Sequence, residues 1–228
     1  MNSSKAITIV LMLTSILTFA QENQKTSYLG INLGVSFPKD DYGSKEFKDE
    51  SGYALAGILI DLESAFMFHK NFGFGGKLGF FANAMDVETG KKNLGLSDEA
   101  NLKATNWNNR YLMFGPQFVL TSRKVFFDFK VQGGLLNSST PEITYNIPPF
   151  GTATQSSAKA TTLAYGFGFG TRINVSEKVA LHSKLDLIYG NQNFKFKQLD
   201  GTIQSTNILI STVNFGVGLC YLFVDKNK

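Results

Sequence analysis

The residues best equipped for chemistry are few and scattered along the chain. There are two histidines, His69 and His182, and one cysteine, Cys220. His182 is followed by Ser183, a pair that a hydrolase or acyltransferase would need within hydrogen-bond reach of each other. Both lie in an alternating segment, where adjacent side chains point to opposite faces, so a regular strand keeps them apart. A lone thiol and two distant imidazoles lack the spacing of a zinc site. Asp40, Asp41, Glu46, Asp49 and Glu50 form an acidic stretch, but the glycine and ligand spacing of a calcium loop is missing. Gly166, Gly168 and Gly170 recur at every second residue, which gives small positions on one strand face and no phosphate-binding turn before a helix. The expectation is a protein without catalytic residues, metal or cofactor.

The remaining polar chemistry is carried by alternating segments. In residues 111 to 136, Leu112, Phe114, Phe118 and Leu120 share one parity, then Phe127, Phe129, Val131 and Leu135 do so after a turn. Their neighbours Gln117, Asp128, Lys130 and Gln132 share the other. Period two predicts strands. A chain with 21 Phe and 22 Gly that shows its large apolar rows on one face and its charges on the other matches a wall facing lipid. The expected fold is all-β, an eight-stranded antiparallel transmembrane β-barrel.

Six further segments fit the pattern: residues 27 to 37, 52 to 68, 72 to 82, 162 to 175, 179 to 189 and about 208 to 223 join the two arms of the hairpin. Asn83 to Asn108, Asn137 to Thr161 and Gly190 to Asn207 read as polar loops, as does Pro38 to Ser51. SDEANLKA is expected to hold one helical turn, and Pro148 and Pro149 are expected to forbid a paired central strand there. Connections therefore alternate long and short, as in outer-membrane barrels. A mean hydropathy of −0.05 argues against a helical membrane bundle. Lys5 followed by the apolar run Ala6 to Phe19, then Thr18 and Ala20 at the −3 and −1 positions, predicts a signal peptide over residues 1–20 and a barrel domain over 21–228. Net charge is +4, but the cations are dispersed, so no nucleic-acid partner is expected.

The chain resembles the small outer-membrane β-barrels of Gram-negative bacteria, the OmpA and OmpX type, and especially those common in Bacteroidetes. The resemblance rests on YLGINLGVSF, FHKNFGFGGKLGF, YLMFGPQF and VNFGVGLCYLF, within residues 21 to 223. The last of these is similar to the signal read by the barrel assembly machinery, with Asn214, Gly216, Gly218, Leu219, Tyr221 and Phe223 in the matching places. VDKNK then follows, too short for the peptidoglycan-binding domain of two-domain OmpA members. The resemblance implies outer-membrane lipid and the assembly machinery as partners. On fold analogy alone it extends to PorT-type accessory proteins of the type IX secretion system.

An eight-stranded barrel has an interior that side chains fill. Glu63, Lys77, Asp128, Lys130, Arg172, His182, Lys184 and Asp186 are expected to form an interior polar cluster of structural role, with gating as the functional alternative. Turns centred on Lys70 and Glu177 place Glu63 opposite Lys77 and Arg172 opposite His182. Glu63 and Lys77 are expected to form an ion pair. Trp107, Tyr145 and Phe150 are the candidate loop contacts for an envelope or host-surface partner. The expected function is a non-enzymatic barrel presenting four extracellular loops, for adhesion, envelope integrity or an envelope complex. A narrow solute channel is the alternative, and a lipocalin-like soluble barrel would require the Phe rows to point inward.

Overall fold

A computed structural model describes residues 26–48, 50–97, 100–122, 124–149, 151–197 and 202–224. The expected signal peptide lies outside the described residues, as does Phe150. Eight strands close into a barrel: β1 (Thr26–Lys39), β2 (Ala54–Met67), β3 (Phe72–Met85), β5 (Trp107–Ser122), β6 (Val125–Ser139), β9 (Lys159–Asn174), β10 (Val179–Lys197) and β11 (Ile203–Val224). Every neighbouring pair is antiparallel, and β1 seals against β11 from Thr26↔Val224 to Lys39↔Ser211. At the seam Gly34 faces Gly216, and a Cβ on Gly34 would run into the carbonyl of Phe215, so the close approach requires glycine.

The apolar rows point outward. Leu29, Ile31, Leu33, Phe74, Leu78, Phe114, Phe167, Phe169, Val217 and Leu219 are all exposed, while their strand neighbours are turned inward. Among the described residues no helix is long and apolar enough to cross a membrane. Closure satisfies the backbone donors and acceptors that lipid cannot.

At one end the strands are joined by short connections, 68–71, 123–124 and 175–178. The other end carries longer, ordered structure: α1 (Asp40–Gly43), α2 (Val87–Asn93), β4 (Asn101–Ala104), β7 (Ile143–Ile147) and β8 (Gly151–Gln155). The strands β4, β7 and β8 form a separate three-stranded sheet. Two expected loops thus meet in one sheet. Pro148 and Pro149 sit in the turn between β7 and β8, where they interrupt no ladder. The helix lies upstream of SDEANLKA, whose last four residues are β4; Asp86 caps α2 by accepting from the Thr89 amide.

Three further expectations are corrected. Residues 190–197 and 203–207 are no loop, because β10 and β11 continue as a ribbon paired from Gly190↔Ile210 to Lys197↔Ile203. Alternation persists there, with Gln192 and Phe194 buried and Asn191, Asn193 and Lys195 exposed. Past the apolar wall the outer face is polar, so the lipid-facing pattern stops while the strand does not. In β2 a register shift between Ala54 and Gly57 buries Ala54 and exposes Leu55, the reverse of simple alternation. The central hairpin, whose pattern predicts a four-residue turn, pairs Ser122 with Val125.

Candidate functional site

The inner positions build two distinct places, a charged belt at mid-barrel and an open rim at the long-loop end. In the belt, four acids and four bases are buried: Asp61, Glu63, Asp128 and Asp186 with Lys77, Lys130, Arg172 and Lys184. The charges balance, as burial in a narrow interior demands. Lys184 is the hub, bonding Asp61 and lying 2.9 Å from Asp186 and 3.6 Å from Glu63. Lys130 bonds Glu63, and Lys77 lies 3.2 Å from Asp186. Arg172 grips Asp128 with Nε at 2.7 Å and Nη2 at 2.8 Å, a two-point contact that fixes both planes.

Neutral groups complete the belt. Asn32 donates to Asp61 at 2.8 Å and accepts from His182 Nδ1 at 2.9 Å, while the Tyr111 hydroxyl donates to Asp61 at 2.9 Å. Gln117 donates to Asp128 at 3.0 Å, and the Tyr28 hydroxyl donates to Glu63. The alternating glycines make room: a Cβ on Gly168 would strike Asp186, and one on Gly170 would lie 2.8 Å from His182 Nε2. Ser183 turns to the other face and shares a 2.7 Å hydrogen bond with Thr171.

The register places Glu63 opposite Lys77 and His182 opposite Arg172. Their ionic partners nevertheless lie elsewhere. The expected Glu63–Lys77 pair is replaced by Glu63–Lys130 and Lys77–Asp186, both reaching across the lumen between strands that are not neighbours. Barrel closure creates these contacts, and no single hairpin contains them. Asp61, Asn32, Tyr28 and Tyr111 were absent from the expected cluster although each has the inner parity of its strand; parity alone would have found them.

Apolar layers close the lumen on both sides of the belt. Toward the short turns, Tyr28, Ala65, Met67, Val119, Phe126 and Leu222 pack together with the buried Cys220. The Arg172 guanidinium sits over Tyr28, 4.0 Å from the ring centre. Toward the long loops, Leu59, Phe81, Met113, Leu136, Ile188 and Phe194 form the second layer, topped by Tyr42 and Trp107. Trp107 is 3% exposed, donates to the Gly52 carbonyl at 2.9 Å and meets Tyr42 edge-on. As a loop contact it is therefore misplaced: it is the first residue of β5 and faces inward.

Above Trp107 the rim is ordered. Leu102, Ile143, Tyr145, Ala153 and Gln155 share one face of the small sheet, by pairing of Leu102 with Tyr145 and of Tyr145 with Ala153. Between that face and the β10–β11 ribbon lies a cavity of about 880 Å³, lined by Tyr145, Phe196, Trp107, Thr140, Gln155 and Thr206 among others. Burial pushes the Tyr145 hydroxyl above its ordinary range. The rim is tied down by Lys45, 2.6 Å from Asp86, whose bond holds that carboxyl below the usual carboxylate range, and by Asn93 donating to the Lys45 carbonyl at 2.8 Å. Among the described residues no group of three or more His, Cys, Asp or Glu could hold a metal ion.

The positions expected to carry an assembly signal all lie on β11. Leu219, Tyr221 and Phe223 face outward, Asn214 is buried, and Gly216 and Gly218 face Gly34 and Asn32 across the seam.

A family model described as outer membrane protein beta-barrel domain matches residues 6–223. Solved structures of similar fold include the outer membrane protein OprG from Pseudomonas aeruginosa, at 10% identity over 89% of this chain and 97% of that one, TM-score 0.52. Neisserial surface protein A (NspA) gives 10% identity over 87% and 99%, TM-score 0.51. Ail, the attachment invasion locus protein of Yersinia pestis, gives 14% identity over 89% and 100%, TM-score 0.49. No curated protein matches the chain.

Proposed function

Since the chain belongs to the outer membrane protein beta-barrel domain family and resides in the outer membrane, we propose that it is a non-enzymatic barrel whose sealed interior supports a binding rim at the cell surface. The role is adhesion, envelope integrity or membership of an envelope complex. One observation carries this reading: the lumen is filled at three successive depths, by an apolar layer, a charge-balanced belt and a second apolar layer. A channel would need a continuous wet path, and these layers leave the working surface to the rim. Long connections mark the extracellular end of outer-membrane barrels, which supports an extracellular position for the small sheet and the ribbon. Ordered loops on a rigid scaffold are suited to recognition.

The route to that position also belongs to the proposal. Residues 1–20 serve as signal peptide, the mature chain begins at Gln21, and the β11 positions from Asn214 to Phe223 engage the barrel assembly machinery. N-terminal sequencing of envelope protein that found Met1 retained would contradict the first step.

The rim is tested by replacing residues 87–104 and 141–157 with short turns. The barrel should still fold and insert, while capture of envelope or host-surface partners is lost. Undiminished capture by the trimmed barrel would refute the rim as the binding region.

A further inference from the structure

The extracellular cavity has the size, lining and closed floor of a small-molecule site. Its volume of about 880 Å³ falls in the range of ligand pockets. The roof is the inward face of the three-stranded sheet, where Tyr145 is half-buried. The opposite wall is the ribbon, which contributes Phe196 and Thr206, and the floor is Trp107. Aromatic faces thus alternate with hydroxyl and amide groups from Thr140, Gln155 and Thr206. The described lining contains one cation, Lys195, and no acid.

We propose that this cavity binds a saccharide of mono- to disaccharide size. A sugar ring offers apolar C–H faces to aromatic rings and hydroxyls that both donate and accept, and side-chain hydroxyls and amides answer in both senses. The Thr140 hydroxyl already accepts from the Ala158 amide at 2.9 Å and Gln155 Oε1 from the Tyr145 hydroxyl at 3.5 Å, but an alkyl ligand would leave the Thr206 hydroxyl and the Gln155 amide N–H groups unpaired in a filled pocket, which is costly. A strongly cationic ligand would find no described carboxylate in the lining. The floor matters too, because Trp107 packed on Tyr42 and Phe194 blocks descent into the barrel, so the site retains its ligand and does not pass it inward. The proposal rests on the rim being the binding region and adds the chemical class of what the rim holds.

Trp107 is the only tryptophan in the chain, so fluorescence reads this cavity directly. Refolded protein in detergent is titrated with maltose, N,N′-diacetylchitobiose and, for contrast, n-octanol. Saturable change in Trp107 emission with at least one saccharide, and none with octanol, is the expected result. Ala153→Trp fills the cavity from the exposed strand β8 but adds a second fluorophore, so its affinity is read by calorimetry, where a loss of at least about tenfold is expected. Tyr145→Ala should weaken binding while the barrel melts as in wild type. Saturable response to octanol alone, or no response to either saccharide while rim-dependent partner capture persists, would overturn the saccharide site and leave the rim reading standing. Saccharide binding that survives Ala153→Trp undiminished would also overturn it.

Discussion

The middle of the barrel and its long-loop end use similar side chains to opposite effect. At mid-barrel, Lys184 touches three carboxylates and every acid has a basic partner, so charge is balanced internally. At the rim, Tyr145, Gln155 and Thr206 border an open cavity, and the ion pair Lys45–Asp86 fastens a loop to a helix without filling that space. The difference lies in enclosure. A narrow closed lumen tolerates charge only when it is balanced, whereas a solvated rim can leave polar groups available for a ligand.

The largest expected effect breaks the belt at its hub. Lys184→Met leaves Asp61 and Asp186 short of a cation and should cost about 3 to 5 kcal/mol in denaturant unfolding from bilayers. A loss below about 1 kcal/mol would mean that the belt is far wetter than its burial indicates. Next comes the outer wall: Phe167→Arg should cost roughly 2 to 4 kcal/mol if the site is mid-membrane, against little for Asn191→Arg beyond the apolar band. Gly190 is a poor control, because it is buried and a Cβ there would lie 2.9 Å from Leu136. Equal effects of the two arginines would refute the assigned facing.

A finer test concerns who pairs with whom. In double-mutant cycles, Lys77 and Asp186 should couple within the roughly 0.5 to 3 kcal/mol range of contacting residues, and more strongly than Glu63 with Lys77. The reverse order would restore the hairpin pairing.

That contrast shows what the chain's pattern could and could not reveal. Parity in Leu112 to Leu120 and Val125 to Leu135 identifies the strands and their outward faces, because lipid and lumen impose opposite chemistry on alternate residues. Register followed from turn position, so Glu63↔Lys77 and Arg172↔His182 were legible. The ion pairs were not, since Lys130 on β6 reaches Glu63 on β2 only after the sheet closes. Trp107 misled for a related reason: beyond the membrane the outer face turns polar, and an inward aromatic followed by Asn108 and Asn109 reads as loop. The small sheet was hidden because its strands come from two distant segments, 101–104 and 143–155, and each is too short to show a period alone.

The smallest effect belongs to the rim. Asp86→Ala removes the cap of α2 and the Lys45 contact, and should cost about 1 kcal/mol locally, seen as faster hydrogen exchange over residues 87–93. Because Asp86 is held below the ordinary carboxylate range, its contribution is present above that range and is lost as pH falls through the lowered value. In wild type, acid should therefore loosen α2 in the same way, and an exchange rate flat with acidity after correction for intrinsic chemistry would contradict this.

Single-channel recording on refolded wild-type protein in planar bilayers tests the central claim, that the interior is sealed and the rim does the work. The filled lumen predicts no conductance steps, with Gly168→Phe, which intrudes on Asp186, altering stability alone. Reproducible steps in wild type that disappear in Gly168→Phe would contradict the account and make the protein a channel.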